Sequence, residues 1–152
     1  MSTPSLIAMR IPERLKGKTL HYDKEKLPLP QYSWKKFTFF DKDLKNPLFS
    51  DVTISPTDTY IGIYVHWDGD SVIHTLRKHF TNEEQILNLL LGGFCSFVGE
   101  EGVLYYATRK EDSSRQSWDD VKPLLGTLKH LKESIYWHYC YVFNNGHWIT
   151  YR

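Results

Sequence analysis

The sequence predicts an α+β fold in which helices pack on a largely antiparallel sheet. Three observations predict this class: a segment near the middle of the chain alternates apolar and polar side chains, two helical segments follow it, and two hairpin-like segments come later. Helices and strands are grouped rather than strictly alternating, and no glycine-rich phosphate loop follows a strand, which argues against a Rossmann-type fold. We therefore expect about three helices on one sheet, preceded by an irregular, proline-containing N-terminal arm.

The chain has 152 residues, a formal net charge of +1 and 15% aromatic residues. This length predicts a single domain, residues 1–152, with enough apolar side chains for a core. Because the charge is balanced and no basic stripe is present, we do not expect general nucleic-acid binding. No segment reaches the ~20 apolar residues of a membrane span and no secretory signal is visible, so we expect no membrane partner. Cys95 and Cys140 are predicted to be buried free thiols.

Residues 1–58 are predicted to form the irregular arm, and residues 59–152 the α+β core. All 7 prolines of the chain except Pro123 lie in the arm, and proline interrupts both helices and sheet ladders. We expect the first ten residues to be mobile and short extended segments at 33–40 and 51–55. The aromatic side chains around Trp34 are too apolar for a solvated tail, so this part of the arm is predicted to lie over the domain.

The central segment, residues 60–76, reads Y-I-G-I-Y-V-H-W-D-G-D-S-V-I-H-T-L. Its two-residue period predicts a strand whose buried face carries Ile61, Ile63, Val65 and Trp67. The dipeptide Asp68-Gly69 predicts a turn, and a helix over 71–80 follows, with Asp70 or Ser71 as its N-cap.

The remaining elements follow from capping and turn signals. Thr81 and Glu84 have the spacing of a capping box, which opens a second helix that Gly92-Gly93 ends. Strands are predicted at 94–98 and 103–108 around a loop at 99–102, and a polar loop at 109–117. A helix with apolar residues from 121 to 131 comes next, capped by Asp119 or Asp120. Finally, Asn144-Asn145-Gly146 predicts a tight hairpin between 135–143 and 147–152.

The densest group of titratable side chains lies at the strand-to-helix junction. If the strand continues through residue 70, then His66, Asp68 and Asp70 share one face, and His74 follows one helical turn later. Imidazole and carboxylate groups on one surface suit a divalent metal, or a general base with its orienting partner. The turn and the helix start already give both carboxylates a structural role. We favour that interpretation and assign no catalytic residue, metal or cofactor.

A second candidate site is the aromatic C-terminal hairpin. The predicted binding residues are Tyr136, His138, Trp148 and Tyr151, together with Trp34 of the arm. Such side chains stack on nucleobases or act as anchors for a protein partner. Burial beneath the arm is the structural alternative.

The segment I-Y-V-H-W-D-G, followed by a helix and later by a hairpin ending in G-x-W-x-x-Y, resembles small uncharacterised proteins encoded by bacteriophages and prophages. The resemblance covers residues 60–152. It departs from the family pattern after the glycine, where this chain has Asp70-Ser71-Val72 in place of an aromatic residue, a proline and a glycine. It implies a phage accessory protein in the host cytoplasm that binds, and inhibits or sequesters, a host component such as a defence protein.

Two other functions remain open alternatives. One is a metal-dependent or acid/base hydrolase centred on His66 and Asp68. The other is a nucleotide-binding sponge that uses the aromatic C-terminal strands. The sequence favours binding over catalysis and leaves the partner and the oligomeric state undetermined.

Overall fold

The computed structural model of the chain describes residues 2–32, 49–108 and 117–152. Nine strands and four α-helices lie within these ranges. The strands are β1 (Ser5–Arg10), β2 (Thr19–Leu20), β3 (Val52–Thr53), β4 (Tyr60–Val65), β5 (Cys95–Gly99), β6 (Gly102–Tyr105), β7 (Leu124–Gly126), β8 (Tyr139–Asn144) and β9 (His147–Tyr151). The helices are α1 (Val72–His79), α2 (Glu83–Leu91), α3 (Trp118–Val121) and α4 (Leu128–Ser134).

Seven of the strands form one mixed sheet in the order β6-β5-β4-β1-β8-β9, with β7 also paired to β4. Strands β2 and β3 form a separate small sheet. The α+β class is confirmed. The predicted largely antiparallel sheet is only roughly right, because β1 runs parallel to β8 and β4 runs parallel to β5. The described ranges also contain four helices where the sequence predicted about three.

Strand β1 lies in the middle of the sheet, which corrects the prediction of an irregular arm with a mobile start. It pairs antiparallel with β4 and parallel with β8, and residues 5–9 are all buried. The prediction failed because Pro4 and Pro12 flank this strand rather than interrupt it, so the apolar run between them is free to join the ladder. Of the other two extended segments, 51–55 contains β3, whereas 33–40 lies outside the described residues.

The sheet has apolar side chains on both faces. On one face Ile61, Ile63 and Val65 pack with Leu76 of α1 and Leu89 of α2. On the opposite face a second cluster joins β1 and β8 to α4 and the residue that follows it; its buried members are Leu6, Ala8, Leu131, Ile135, Cys140 and Val142. Helices therefore cover both sides of the sheet.

Trp67 is not in the core, contrary to the prediction. Strand β4 ends at Val65, and Trp67 is 41% exposed. The backbone N–H of Trp67 still donates to the Ser96 carbonyl, but Asp68 adopts a positive φ of 57° and turns the chain away. The two-residue alternation therefore stops before Trp67 reaches the buried face.

The first helix of the core begins without the predicted side-chain cap. Helix α1 starts at Val72, and neither Asp70 nor Ser71 accepts from its first turn; the Ser71 hydroxyl instead donates to the Asp68 carbonyl at 3.1 Å.

In α2 the capping interactions lie one residue beyond the predicted pair. The Asn82 side chain accepts from the Gln85 N–H at 2.9 Å, and the Gln85 side chain accepts from the Thr81 N–H at 3.1 Å. The predicted stop is confirmed, since α2 ends at Leu91 and Gly93 has a φ of 85°.

The helix predicted between residues 121 and 131 is interrupted. Helix α3 ends at Val121, β7 pairs with the first half of β4, and α4 begins at Leu128. Lys122 is extended with ψ of 157°, because the residue before a proline disfavours the helical region. The predicted final hairpin is confirmed as β8 and β9, with positive φ at Asn145 (53°) and Gly146 (79°) in its turn.

Candidate functional site

The strand-to-helix junction is built by backbone contacts. After β4, the Asp68 carbonyl accepts from the N–H groups of Ser71 and Val72, both at 3.0 Å. The next residue, Gly69, is buried: its N–H donates to the Thr3 carbonyl at 2.7 Å, and its carbonyl accepts from the Tyr141 hydroxyl at 2.5 Å. These bonds support the structural interpretation of the Asp68-Gly69 turn.

Gly69 is required here because the N-terminal segment crosses it closely. A Cβ atom at this position would lie well inside van der Waals distance of the Thr3 carbonyl oxygen and 2.9 Å from the Ser5 Cβ. Since the obstruction is mainly backbone, no side-chain rotation relieves it. The glycine of the I-Y-V-H-W-D-G segment thus fixes the junction against the start of β1.

Gly69→Ala is therefore expected to destabilise the fold by about 1–3 kcal/mol, the usual cost of an overpacked buried position. Gly99→Ala is the matched control, because a Cβ there would meet only the Phe97 ring, at 3.7 Å. Urea denaturation of both variants measures the difference. Equal free energies of unfolding for Gly69→Ala and Gly99→Ala would show that the crossing does not constrain residue 69.

The four junction residues do not converge. Asp68, Asp70 and His74 are exposed, and His66 is half-buried with its Nδ1 2.5 Å from the Tyr64 hydroxyl. The shared face expected of His66, Asp68 and Asp70 required a strand through residue 70, and β4 ends earlier. Within 2–32, 49–108 and 117–152, no three His, Cys, Asp or Glu side chains form a group that could hold a metal ion.

The predicted aromatic binding residues are also divided. Tyr136 is 71% exposed, and its hydroxyl lies 2.8 Å from Nε2 of His138. Trp148 lies at the other end of the final hairpin, where its Nε1–H donates to the Phe80 carbonyl at 3.1 Å. The Tyr151 ring packs under the Lys132 ammonium, 3.6 Å from the ring centroid.

Trp34, the remaining predicted binding residue, lies outside the described residues. The predicted set therefore does not form one site in the described part of the chain.

The structure instead brings part of each predicted group to one end of the sheet. The strand register places Val65, Ser5 and Tyr139 side by side on β4, β1 and β8. His66 follows Val65, and His138 precedes Tyr139 and donates its N–H to the Pro4 carbonyl at 2.9 Å. Two strand spacings, about 10 Å, separate their backbones.

We refer to His66, Trp67, Tyr136 and His138 as the strand-end surface. Each imidazole in it is hydrogen-bonded to a tyrosine hydroxyl, and the His66 and Trp67 rings meet edge to face at 4.6 Å. Burial raises the pKa of Tyr64, so this phenol stays protonated at neutral pH. The surface offers rings with polar edges for contact rather than an aligned nucleophile and base.

Sequence reasoning missed this surface because it assigned Trp67 to the core and treated the junction and the hairpin as separate sites. The one available signal was the repeated Tyr-x-His pattern, Y-V-H at 64–66 and Y-W-H at 136–138. That pattern does not show that the two segments lie at the same end of one sheet.

Both cysteines are buried and free, as predicted. Burial raises the pKa of Cys95 well above its usual value and that of Cys140 to about 11. Neither thiol is therefore a thiolate at neutral pH, which is the form a cysteine nucleophile needs.

Comparisons of the chain with protein-family models, curated proteins and solved structures found no match. The class that the fold defines is an α+β protein with a mixed sheet covered on both faces. Among the described residues, no helix is both long enough and apolar enough to cross a membrane.

Proposed function

We propose that this protein acts by binding another protein through the strand-end surface, as a phage-type accessory protein that inhibits or sequesters a host component. The main support is the position of the exposed hydrophobic side chains. Of the three large hydrophobic side chains exposed in the described ranges, two, Trp67 and Tyr136, lie at the same end of the sheet. They are flanked by His66 and His138, and this combination of ring faces and polar edges suits a protein interface.

The energetics of interfaces favour such a cluster. A few anchors, most often tryptophan, tyrosine and arginine, supply most of the binding free energy, and truncating one typically costs 2 kcal/mol or more. Trp67 and Tyr136 are held by ring contacts with the neighbouring histidines, so little side-chain freedom is lost on association.

The resemblance to phage proteins supports the same surface. The segment I-Y-V-H-W-D-G forms the second half of β4 and the turn after it, and therefore supplies His66 and Trp67 directly. Its glycine holds the turn against Thr3. A motif that places an exposed tryptophan on a rigid turn is what a binding protein requires, and a host component is the partner that the resemblance implies.

The test is quantitative capture from bacterial host lysate with the wild-type chain, the double variant Trp67→Ala/Tyr136→Ala and the control His147→Ala. His147 is exposed like the anchors but lies at the opposite end of β8 and β9. We expect a protein retained by the wild type and the control to be lost, at least tenfold, with the double variant. All three chains should show nearly the same melting temperature.

Retention of the same protein by the double variant would contradict the proposal, because the anchors would then contribute nothing. Capture lost in the double variant together with a lowered melting temperature would also count against it. In that case the two rings would be stabilising the fold rather than contacting a partner.

A further inference from the structure

Strand β9 is an edge strand of the large sheet that the described residues form. At the opposite edge, residues 30–32 lie alongside β6. The Val103 N–H donates to the Pro30 carbonyl at 2.9 Å, and the Val103 carbonyl accepts from the Tyr32 N–H at 2.7 Å. Strand β9 pairs with β8 on one side. On its other side, no strand from the described part of the chain is paired with it.

The hairpin geometry fixes which backbone groups of β9 are unpaired. A two-residue turn at Asn145-Gly146 makes Asn144 and His147 a hydrogen-bonded pair, and such pairs alternate with non-hydrogen-bonded ones along an antiparallel ladder. The N–H and C=O groups of Trp148 and Thr150 therefore point away from β8, towards the open edge. Ile149 lies between them, 40% exposed.

This edge lacks the features that usually prevent strand-to-strand association. The sequence H-W-I-T-Y contains no proline, lysine or carboxylate, and its pairing with β8 is regular throughout, without a bulge. Its tryptophan, isoleucine, threonine and tyrosine are residues that favour a paired strand.

We propose that β9 pairs antiparallel with β9 of a second copy of this chain, with Ile149 opposite Ile149. This register matches every residue of the strand, because Ile149 is the midpoint of His147–Tyr151. Trp148 of each copy then faces Thr150 of the other and exchanges both backbone hydrogen bonds with it. The two sheets become one continuous sheet across a twofold axis.

Several features favour a second copy of this chain as the partner that pairs with β9. In this register His147 lies opposite Tyr151 and Ile149 opposite itself, so no two like charges face each other across the strands. The net charge of +1 leaves little long-range repulsion between copies. Pairing of β9 with β9 uses the same edge of both copies, so it closes as a dimer instead of an open chain.

A short strand pair buries much less area than a standard interface, so the dimer is weak. We expect a dissociation constant on the order of 100 µM. Sedimentation velocity should show a monomer at about 5 µM and mainly dimer at about 500 µM, either side of that constant.

Ile149→Lys places two ammonium groups opposite each other and should give a monomer throughout this range. Ile149→Val keeps a β-branched apolar side chain and should dimerise like the wild type. A wild-type chain that stays monomeric at the highest concentration, or an Ile149→Lys chain that dimerises equally well, would overturn the proposal. Circular dichroism verifies that each variant is folded.

Cross-linking tests the register itself. Ile149 pairs with itself at a non-hydrogen-bonded position, where Cα atoms lie about 4.5 Å apart, within the range that a disulfide spans. Oxidised Ile149→Cys should form a covalent dimer, whereas Thr150→Cys, which faces Trp148, should not. Cys95 and Cys140 are buried and do not compete. Equal cross-linking of both variants, or cross-linking of Thr150→Cys alone, would overturn the proposed register.

Discussion

A protein that lacks residues 1–10 is expected not to fold. The deletion removes β1 from between β4 and β8, which opens the sheet at its centre. Leu6, Ile7 and Met9 are at most 1% exposed and serve the clusters on both faces. Burying each such side chain contributes about 1.5–3 kcal/mol, so their loss alone approaches the 5–15 kcal/mol by which typical domains are stable.

Circular dichroism and a thermal melt provide the measurement, and the truncated chain should show no cooperative transition. Removal of residues 1 and 2 alone is the control. It keeps β1 and the Thr3 carbonyl that accepts from Gly69, so this chain should melt like the wild type. A cooperative melt in the longer truncation would mean that β1 is dispensable and would contradict the central position given to it.

Phe80→Ala is expected to cost about 3–5 kcal/mol, the range for deleting a large core aromatic side chain. Phe80 follows α1, is 0% exposed and belongs to the main apolar cluster. Trp67→Ala, although it removes a larger ring, should cost no more than about 1 kcal/mol, because Trp67 is 41% exposed and belongs to neither apolar cluster.

Chemical denaturation of the two variants under one set of conditions compares them directly. Trp67→Ala is the informative control for Phe80→Ala, because both substitutions delete an aromatic ring close to α1. If Trp67→Ala proved the more destabilising of the two, Trp67 would belong to the core. The proposed strand-end surface would then lose its principal anchor.

The residues that stabilise the fold differ from those that we propose bind a partner. The N-terminal strand and Phe80 hold the sheet and its helices together, whereas the rings of Trp67 and Tyr136 project beyond the ends of strands. Substitutions in the first group should reduce binding only by unfolding the protein. Substitutions in the second should reduce binding in a chain that still melts normally.

Local signals in the sequence were enough to predict several elements. The alternation of Ile61, Ile63 and Val65 identified β4, and Asn145-Gly146 identified the turn between β8 and β9. Gly93 identified the end of α2. In each case the backbone preference of a few adjacent residues is sufficient, because the periodicity or the positive φ is a property of the segment alone.

The arrangement of these elements and the exposure of their side chains depend on contacts between distant segments of the chain. Residues 5–10 carry no alternation that distinguishes a strand from an apolar part of an arm, and their place between β4 and β8 depends on partners far away in the sequence. The exposure of Trp67 depends on where the β4 ladder ends, and the ladder ends where the chain turns at Asp68 and Gly69 contacts Thr3. The placement of His66 and His138 at the same end of the sheet follows from the same strand order. Strand pairing joins residues that are distant in the chain, so no local pattern specifies it.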